Sequence, residues 1–223
     1  MKKIISVLLA VILICLCFAG CGNIGKTMTK EEMLEVAEKY SVDDIENDSQ
    51  ANIINAKEKY FNKVLHISGT AFIKDDHIEF SNGNQLRQKN YSVDVFLSKD
   101  ELANIESGQL IEVVGKTTDK IIESSESSSF GETYCGHYQM KSAYIVEDRV
   151  TLEGELHGND YDNPPAYRIS VGNSDKIDLI YFAEEVNTSS LQRYNTVYKF
   201  TAKAIGGNPG SGYCKFKDAK IIN

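Results

Sequence analysis

The chain has no tryptophan, no excess of basic residues and no second apolar run after residue 20. Without another stretch of about 20 apolar residues, no later segment is long enough to cross a bilayer as a helix. With 24 Lys and Arg against 32 Asp and Glu, the chain repels polyanions at long range. That charge disfavours phosphate backbones and anionic lipid surfaces as partners. No Gly-x-Ser-x-Gly and no His-Glu-x-x-His occurs, which removes the hydrolase elbow and the zinc-protease helix. No catalytic residue, no cofactor and no enzyme activity is expected. Paired metal-ligand spacing is also missing. His66, His77 and His157 show none, and Cys135-Gly136-His137 offers two ligands where a structural zinc site needs four. The oxygen-rich run from Asn159 to Asn163 fails the calcium-loop pattern, because twelve residues counted from Asp160 end at Val171 and not at Glu. A turn closed by Pro164-Pro165 is expected there, and no bound metal. What is present is twelve Tyr and nine Phe, an aromatic content that fits a β-rich fold.

The chain opens with Lys2-Lys3, an apolar run over residues 4–18, then Ala19-Gly20-Cys21. A basic start, a short apolar core and small residues mark an export signal. With cysteine directly after them, the segment resembles a bacterial lipoprotein signal. The resemblance implies that residues 1–20 are removed and that the Cys21 thiol carries the lipid, palmitate included. Residues 21–28 then form a tether, and the protein sits on the extracytoplasmic face of the cell membrane. Uncleaved, the same segment is a membrane helix, so either outcome anchors the remainder. Two or more acyl chains suffice, since each buried methylene contributes about 0.8 kcal/mol. The part beyond residue 20 has 22 basic and 32 acidic residues, a net charge of −10. Cys15 and Cys17 leave with the signal, so Cys135 and Cys214 remain. Outside the cytoplasm they are either a disulfide closing a loop of about 80 residues or two separate buried thiols.

Residues 29–62 read as a helical lead-in. Thr29-Lys30-Glu31-Glu32 has the capping-box pattern, with Met33, Val36, Ala37 and Tyr40 on one helical face. Ser41-Val42-Asp43-Asp44 marks a break and a new start. A second helix is predicted from about Asp48 to Phe61, with Asn52, Ala56 and Tyr60 on one stripe. Period-two alternation then predicts strands near residues 63–69, 77–80, 92–97, 111–115 and 138–147, with a short helix at Ser98–Leu102.

The pattern recurs in order. Val150–Gly154 matches Leu65–Gly69 at an offset of 85, and Ile177–Ile180 matches Val93–Phe96 at 84. Tyr198–Lys203 matches Ile111–Lys116 at 87, and Ala219–Ile222 matches Ala143–Val146 at 76. Four segments in register argue for duplication. Each copy reads strand, strand, strand, short helix, strand, strand, the order of an OB-fold barrel. The expected fold is therefore mainly β: two tandem OB-type five-stranded Greek-key barrels, residues 63–148 and 149–223, behind a short helical segment. Gly69 and Gly154 are expected where a barrel strand bends sharply. The first copy carries an insert at Thr117–Gly136 with a serine-rich run. The second has only the glycine-rich segment Gly206–Gly212, which reads as a hairpin loop.

Asn52-x3-Ala56-x3-Tyr60-x2-Lys63-Val64-x4-Gly69-Thr70 resembles the tRNA-anti-like OB-fold family, over roughly residues 45–148. The second copy is the more divergent. The resemblance implies the fold, a frequent lipoprotein setting and a nucleic-acid link, and it supplies no catalytic residues.

OB-folds bind on the face of strands two and three. Alternation places His77, Glu79, Asp94 and Phe96 outward in the first copy, and Arg168, Ser170, Asp178 and Ile180 in the second. Arg87, Lys89 and Tyr91 form a basic-aromatic cluster before the third strand. Arg87, Lys89, Tyr91, Phe96 and Arg168 are the candidate ligand-binding residues. The expected function is a non-catalytic binding module for a protein or glycan partner. The alternative is single-stranded nucleic-acid binding through the first copy, against which an aspartate in each groove counts. An unrecognised enzyme ranks third.

Overall fold

The computed structural model describes residues 27–81, 89–128, 131–159, 166–192 and 196–222. Residues 1–20, Cys21 and Arg87 lie outside the described residues. So do Asp160–Pro165 of the oxygen-rich run.

Three short helices precede the barrel strands. Helix α1 (Lys30–Val36) starts at a complete capping box between Thr29 and Glu32. It ends sooner than predicted. Ala37 is already extended, and Glu38–Ser41 forms strand β1. Tyr40 therefore lies on a strand and Val36 is 59% exposed. The cause is an open edge: β1 runs parallel to Leu65–Ser68 of the next strand, on the side where the following strand pairs only with Ala71–Ile73. Helix α2 (Val42–Ala51) is capped by Ser41 with Asp44. The predicted helix over 48–61 breaks at Asn52, whose Oδ1 accepts from the amides of Ile54 and Asn55 and starts helix α3 (Ile53–Tyr60). Asparagine competes with the helix ladder through such local bonds and is favoured at caps. Its stripe partners Ala56 and Tyr60 are buried. Among the described residues, no helix is long and apolar enough to cross a membrane.

The chain is mainly β, with few helices and a closed five-stranded barrel. Strands β2 (Val64–Ile73), β3 (Ile78–Phe80), β4 (Lys89–Val95), β5 (Gln109–Ser128) and β6 (Gly131–Glu147) pair in the order β2-β3-β4-β6-β5, and β5 returns to β2. Helix α4 (Lys99–Leu102), capped by Ser98 and Glu101, lies between β4 and β5. Alternation fills the interior with Leu65, Ile67, Ile78, Phe80, Val93, Val95, Val113 and Met140, all fully buried. The insert is not a loop. Strands β5 and β6 continue through it as a long hairpin as far as Ser128 opposite Gly131. Strand β4 runs parallel along Tyr134–Met140, so the returning arm gains a second ladder.

A further five strands also pair in a ring. They are β7 (Val150–Asn159), β8 (Tyr167–Val171), β9 (Asp178–Phe182), β10 (Val197–Ile205) and β11 (Lys215–Ile221), in the order β10-β11-β9-β8-β7 with β7 returning to β10. Leu156, Ile169, Ile180, Phe200 and Phe216 form its apolar centre. The glycine-rich segment joins the antiparallel pair β10–β11, as predicted.

Partner registers refine the offsets. Ile67 faces Val113 and Leu152 faces Phe200, which fits shifts of 85 and 87. Val113 faces Ile145 and Phe200 faces Ile221, which fits 76. Asp94 faces Gln139, whereas Leu179 faces Lys215. Since Gln139 and Lys215 differ by 76, the third strand is displaced by 85, not 84. A one-residue slip in a strand moves every side chain to the other face. The outward assignment of Asp178 and Ile180 is thus reversed: both are buried, and Leu179 and Tyr181 take the outer parity.

Gly69 and Gly154 mark close approach. A Cβ at Gly154 would sit 2.7 Å from Ile169 Cδ1 and 2.8 Å from the Ser170 carbonyl oxygen. At Gly69 it would sit 3.2 Å from both Phe80 and Val42. The first strand of the second ring has no room for a side chain at Gly154 where it crosses its neighbour, and that of the first barrel is tight at Gly69.

Candidate functional site

The outer face of the first barrel collects polar side chains that the sequence scatters. Strand β3 is only three residues long, so Ile78 and Phe80 point in and Glu79 alone points out. Register then lines up Phe72, Glu79, Asp94 and Gln139 across β2, β3, β4 and β6. Directly opposed residues stand about 5 Å apart. Two carboxylates, Glu79 and Asp94, therefore face each other across neighbouring strands, an arrangement that is destabilising without a compensating cation.

Two imidazoles close over Asp94. His137 Nδ1 lies 3.3 Å from Asp94 Oδ1, and His77 Nε2 lies 3.8 Å from the same oxygen. His77 is held by Asp76, whose Oδ1 is 2.7 Å from Nδ1, and by its ring packing on Phe96 with centroids 5.1 Å apart. His137 is flanked by Ser92 Oγ, 2.8 Å from Nδ1, and by Ser124 Oγ, 3.3 Å from Nε2. Lys74 reaches Glu79 at 3.0 Å. Asp94 is consequently only 8% exposed although it points away from the core. Donor atoms of Glu79, Asp94 and His137 all lie within 4.8 Å of one another. Sequence spacing did not reveal this group, because its members come from three different strands. The usable signal was alternation, which had put His77, Glu79, Asp94 and Phe96 on one face.

Beside this row, at Phe72, opens a cleft of about 450 Å³. The outward side of β2 supplies Ser68, Thr70 and Phe72, the start of α2 supplies Asp43, and the β10–β11 loop supplies Asn208. The cleft lies where the two rings meet. There Gly206 donates its amide to the Gly108 carbonyl, Lys203 Nζ to that of Asn104, and Lys217 pairs with Glu106.

Of the basic-aromatic cluster, Arg87 lies outside the described residues, and Lys89 and Tyr91 differ in exposure. Lys89 is exposed at the start of β4, and its carbonyl accepts from Gln50 Nε2 at 3.1 Å. Tyr91 shares the inward parity of Val93 and Val95 and is 6% exposed, its hydroxyl pushed toward higher pKa by burial. Its ring fills the space that a side chain at Gly136 would need. Phe96 is half-buried against His77. Arg168 is exposed on β8, in a row with Leu179 and Lys215. The matching row of the first ring is Glu79, Asp94 and Gln139, so these two rows carry opposite charge.

Asp178 is not a groove acid. It is 1% exposed, and its carboxylate accepts the amides of Gly210 at 2.6 Å, Gly212 at 2.7 Å and Cys214 at 3.2 Å. It anchors the β10–β11 loop. Cys135 and Cys214 are free thiols and not a disulfide. Cys135 sits on β6 of the first barrel, while Cys214 is enclosed in the second ring's core. Burial first, then the charge of Asp178, pushes the Cys214 thiol up to about 12.

No protein-family model matches the chain, and no curated protein matches it.

Proposed function

We propose that this chain is a lipid-anchored extracytoplasmic binding module, non-catalytic, built from two OB-type barrels by duplication, and that its first barrel holds a neutral glycan. The duplication reading is supported by the shared partner registers at shifts of 85, 87 and 76. Membership of the tRNA-anti-like family is part of the same proposal. It rests on Asn52 as a helix cap and on Ala56 and Tyr60 as the buried stripe that packs the helix on the barrel.

One observation carries the ligand class. The cleft places Phe72 among Ser68, Thr70, Asn208 and Asp43, and Phe72 stands opposite Glu79 of the acidic row. An aromatic face stacks on the apolar side of a sugar ring while hydroxyl, amide and carboxylate groups take its hydroxyls. Its volume suits a small oligosaccharide. The surrounding acids disfavour anionic sugars.

The test is binding of the purified full chain to an array of neutral, acidic and amino oligosaccharides. Phe72→Ala should weaken retention of the neutral ones by about tenfold, the loss of one stacking contact. Retention of no oligosaccharide, with capture of a protein by crosslinking on cells, would replace the glycan with a protein partner. In the same cells, Cys21→Ser should move the chain from the membrane fraction to the soluble one; continued membrane association refutes the lipid anchor.

The Arg168–Leu179–Lys215 row favours a second reading, a nucleic-acid strand on the second ring. Oligonucleotide binding that falls steeply with salt, and falls again in Arg168→Ala, would support it over the glycan.

A further inference from the structure

We infer that Glu79, Asp94, His137 and His77 form a binding site for one divalent transition-metal ion on the outer face of the first barrel. The inference needs only this cluster, and it stands whether the neighbouring cleft takes a glycan or not. A zinc-sized ion holds nitrogen and oxygen ligands about 2.1 Å away, which puts tetrahedral ligands about 3.4 Å from one another. His137 Nδ1 and Asp94 Oδ1 already stand 3.3 Å apart, and His77 Nε2 is 3.8 Å from Asp94 Oδ1. The Glu79 oxygen lies within 4.8 Å of Asp94 and His137, so a side-chain rotation brings it in; His77 lies outside that group of three and must turn toward it to complete the set.

Three features single out this cluster from an ordinary acidic patch. Asp94 is nearly covered, and burying a carboxylate opposite another carboxylate is costly unless a cation lies between them. His77 is oriented through Nδ1 by Asp76 at 2.7 Å, which aims Nε2 at Asp94. A carboxylate behind an imidazole is the arrangement that fixes the ring of a metal-binding histidine. Ser124 Oγ stands 3.3 Å from His137 Nε2 and steadies the ring from behind, while Ser92 Oγ, 2.8 Å from Nδ1, turns aside when that nitrogen takes the ion. Two imidazoles with two carboxylates suit zinc and other late first-row ions over magnesium or calcium, which prefer all-oxygen sets. Lys74 competes, because its ammonium holds Glu79 at 3.0 Å. Being half-exposed, it can swing into solvent when an ion takes its place.

Calorimetric titration of the full chain in detergent micelles with zinc, and separately with magnesium, tests the site. One zinc ion should bind, and magnesium should not compete. His77→Ala and His137→Ala should each weaken zinc by at least about tenfold, while Lys74→Ala should tighten it a few-fold by removing the rival cation. Should a histidine variant fail to match the parent melting curve without metal, the parent protein decides the matter. Zinc should then shift the backbone resonances of residues 77–79, 92–94 and 137. Cobalt bound in zinc's place should show no sulfur-to-metal charge-transfer band. The proposal is overturned by zinc binding no tighter than about 1 mM, by full affinity in a folded His77→Ala/His137→Ala double variant, or by a thiolate band that assigns the ion to cysteine.

Discussion

Asp178→Ala should lower the melting temperature by roughly 10 °C if the whole chain unfolds together, and by more if the second ring melts alone. The carboxylate is buried at the mouth of the second ring and accepts three backbone amides of the β10–β11 loop. Hydrogen bonds to a charged group are worth about 1.5–3 kcal/mol each, and every buried donor left without a partner adds a penalty. The loop will relax, and water will reach Gly210 and Gly212, so the net loss should be about 3–5 kcal/mol and not the sum of three bonds. A ring of this size loses about 4–8 °C per kcal/mol if it unfolds alone, and about 2–4 °C if the whole chain unfolds together. Calorimetry reads both quantities. If the rings melt separately, only the second ring's transition moves. Asp178→Asn should fall between parent and Ala variant, since the amide keeps one acceptor oxygen. A melting temperature within 2 °C of the parent's in Asp178→Ala would mean that the loop holds itself.

Tyr60→Ala should cost about 3–5 kcal/mol, the usual range for removing a buried aromatic side chain. The ring is fully buried and meets Tyr40 edge-on at 5.1 Å and Tyr138 at 6.0 Å. It fastens α3 to the barrel, with its carbonyl accepting from the Thr117 hydroxyl. Denaturant titration should show the midpoint fall with little change in slope. Tyr60→Phe separates the hydroxyl from the ring. The phenol donates to Asp48 Oδ2 at 2.6 Å, and Lys59 binds the same oxygen at 2.8 Å. Lys59 and then Tyr60 hold the Asp48 carboxyl below its ordinary range. A carboxyl depressed on folding stabilises the protein above its unfolded pKa, and that contribution disappears as pH falls through the folded one. Tyr60→Phe should therefore lose stability at neutral pH and less in acid. An equal loss at both would disconnect the hydroxyl from Asp48.

The two variants also mark how far residues alone carried the reading. Period-two alternation located all five strands of the first barrel, though not the run of β5 and β6 through the insert, and it put Ile78, Phe80, Val93 and Val95 inside, because hydrophobic burial acts on each strand separately. The caps at Thr29, Ser41 and Ser98 were equally plain, since a cap is a contact between residues three apart. Asn52 was assigned to a helical stripe, where it is a cap, because the two roles use the same residue type at neighbouring positions. Asp178 reads as outward from sequence because a repeated strand pattern can be aligned one residue off without any visible mismatch. Only hydrogen-bonded partners, Leu179 with Lys215 and Asp94 with Gln139, fix the parity.

Composition and periodicity decided that this chain is β-rich and acidic, with a repeated strand pattern, since those properties follow from local residue choice and summed charge. Folding alone decided which polar residues meet. Glu79, Asp94 and His137 are separated by up to 58 residues, and it is the closure of β3, β4 and β6 side by side that brings them within reach. It likewise sent Tyr91 inward, kept Cys135 and Cys214 in separate rings, and gave one row of each ring opposite charge.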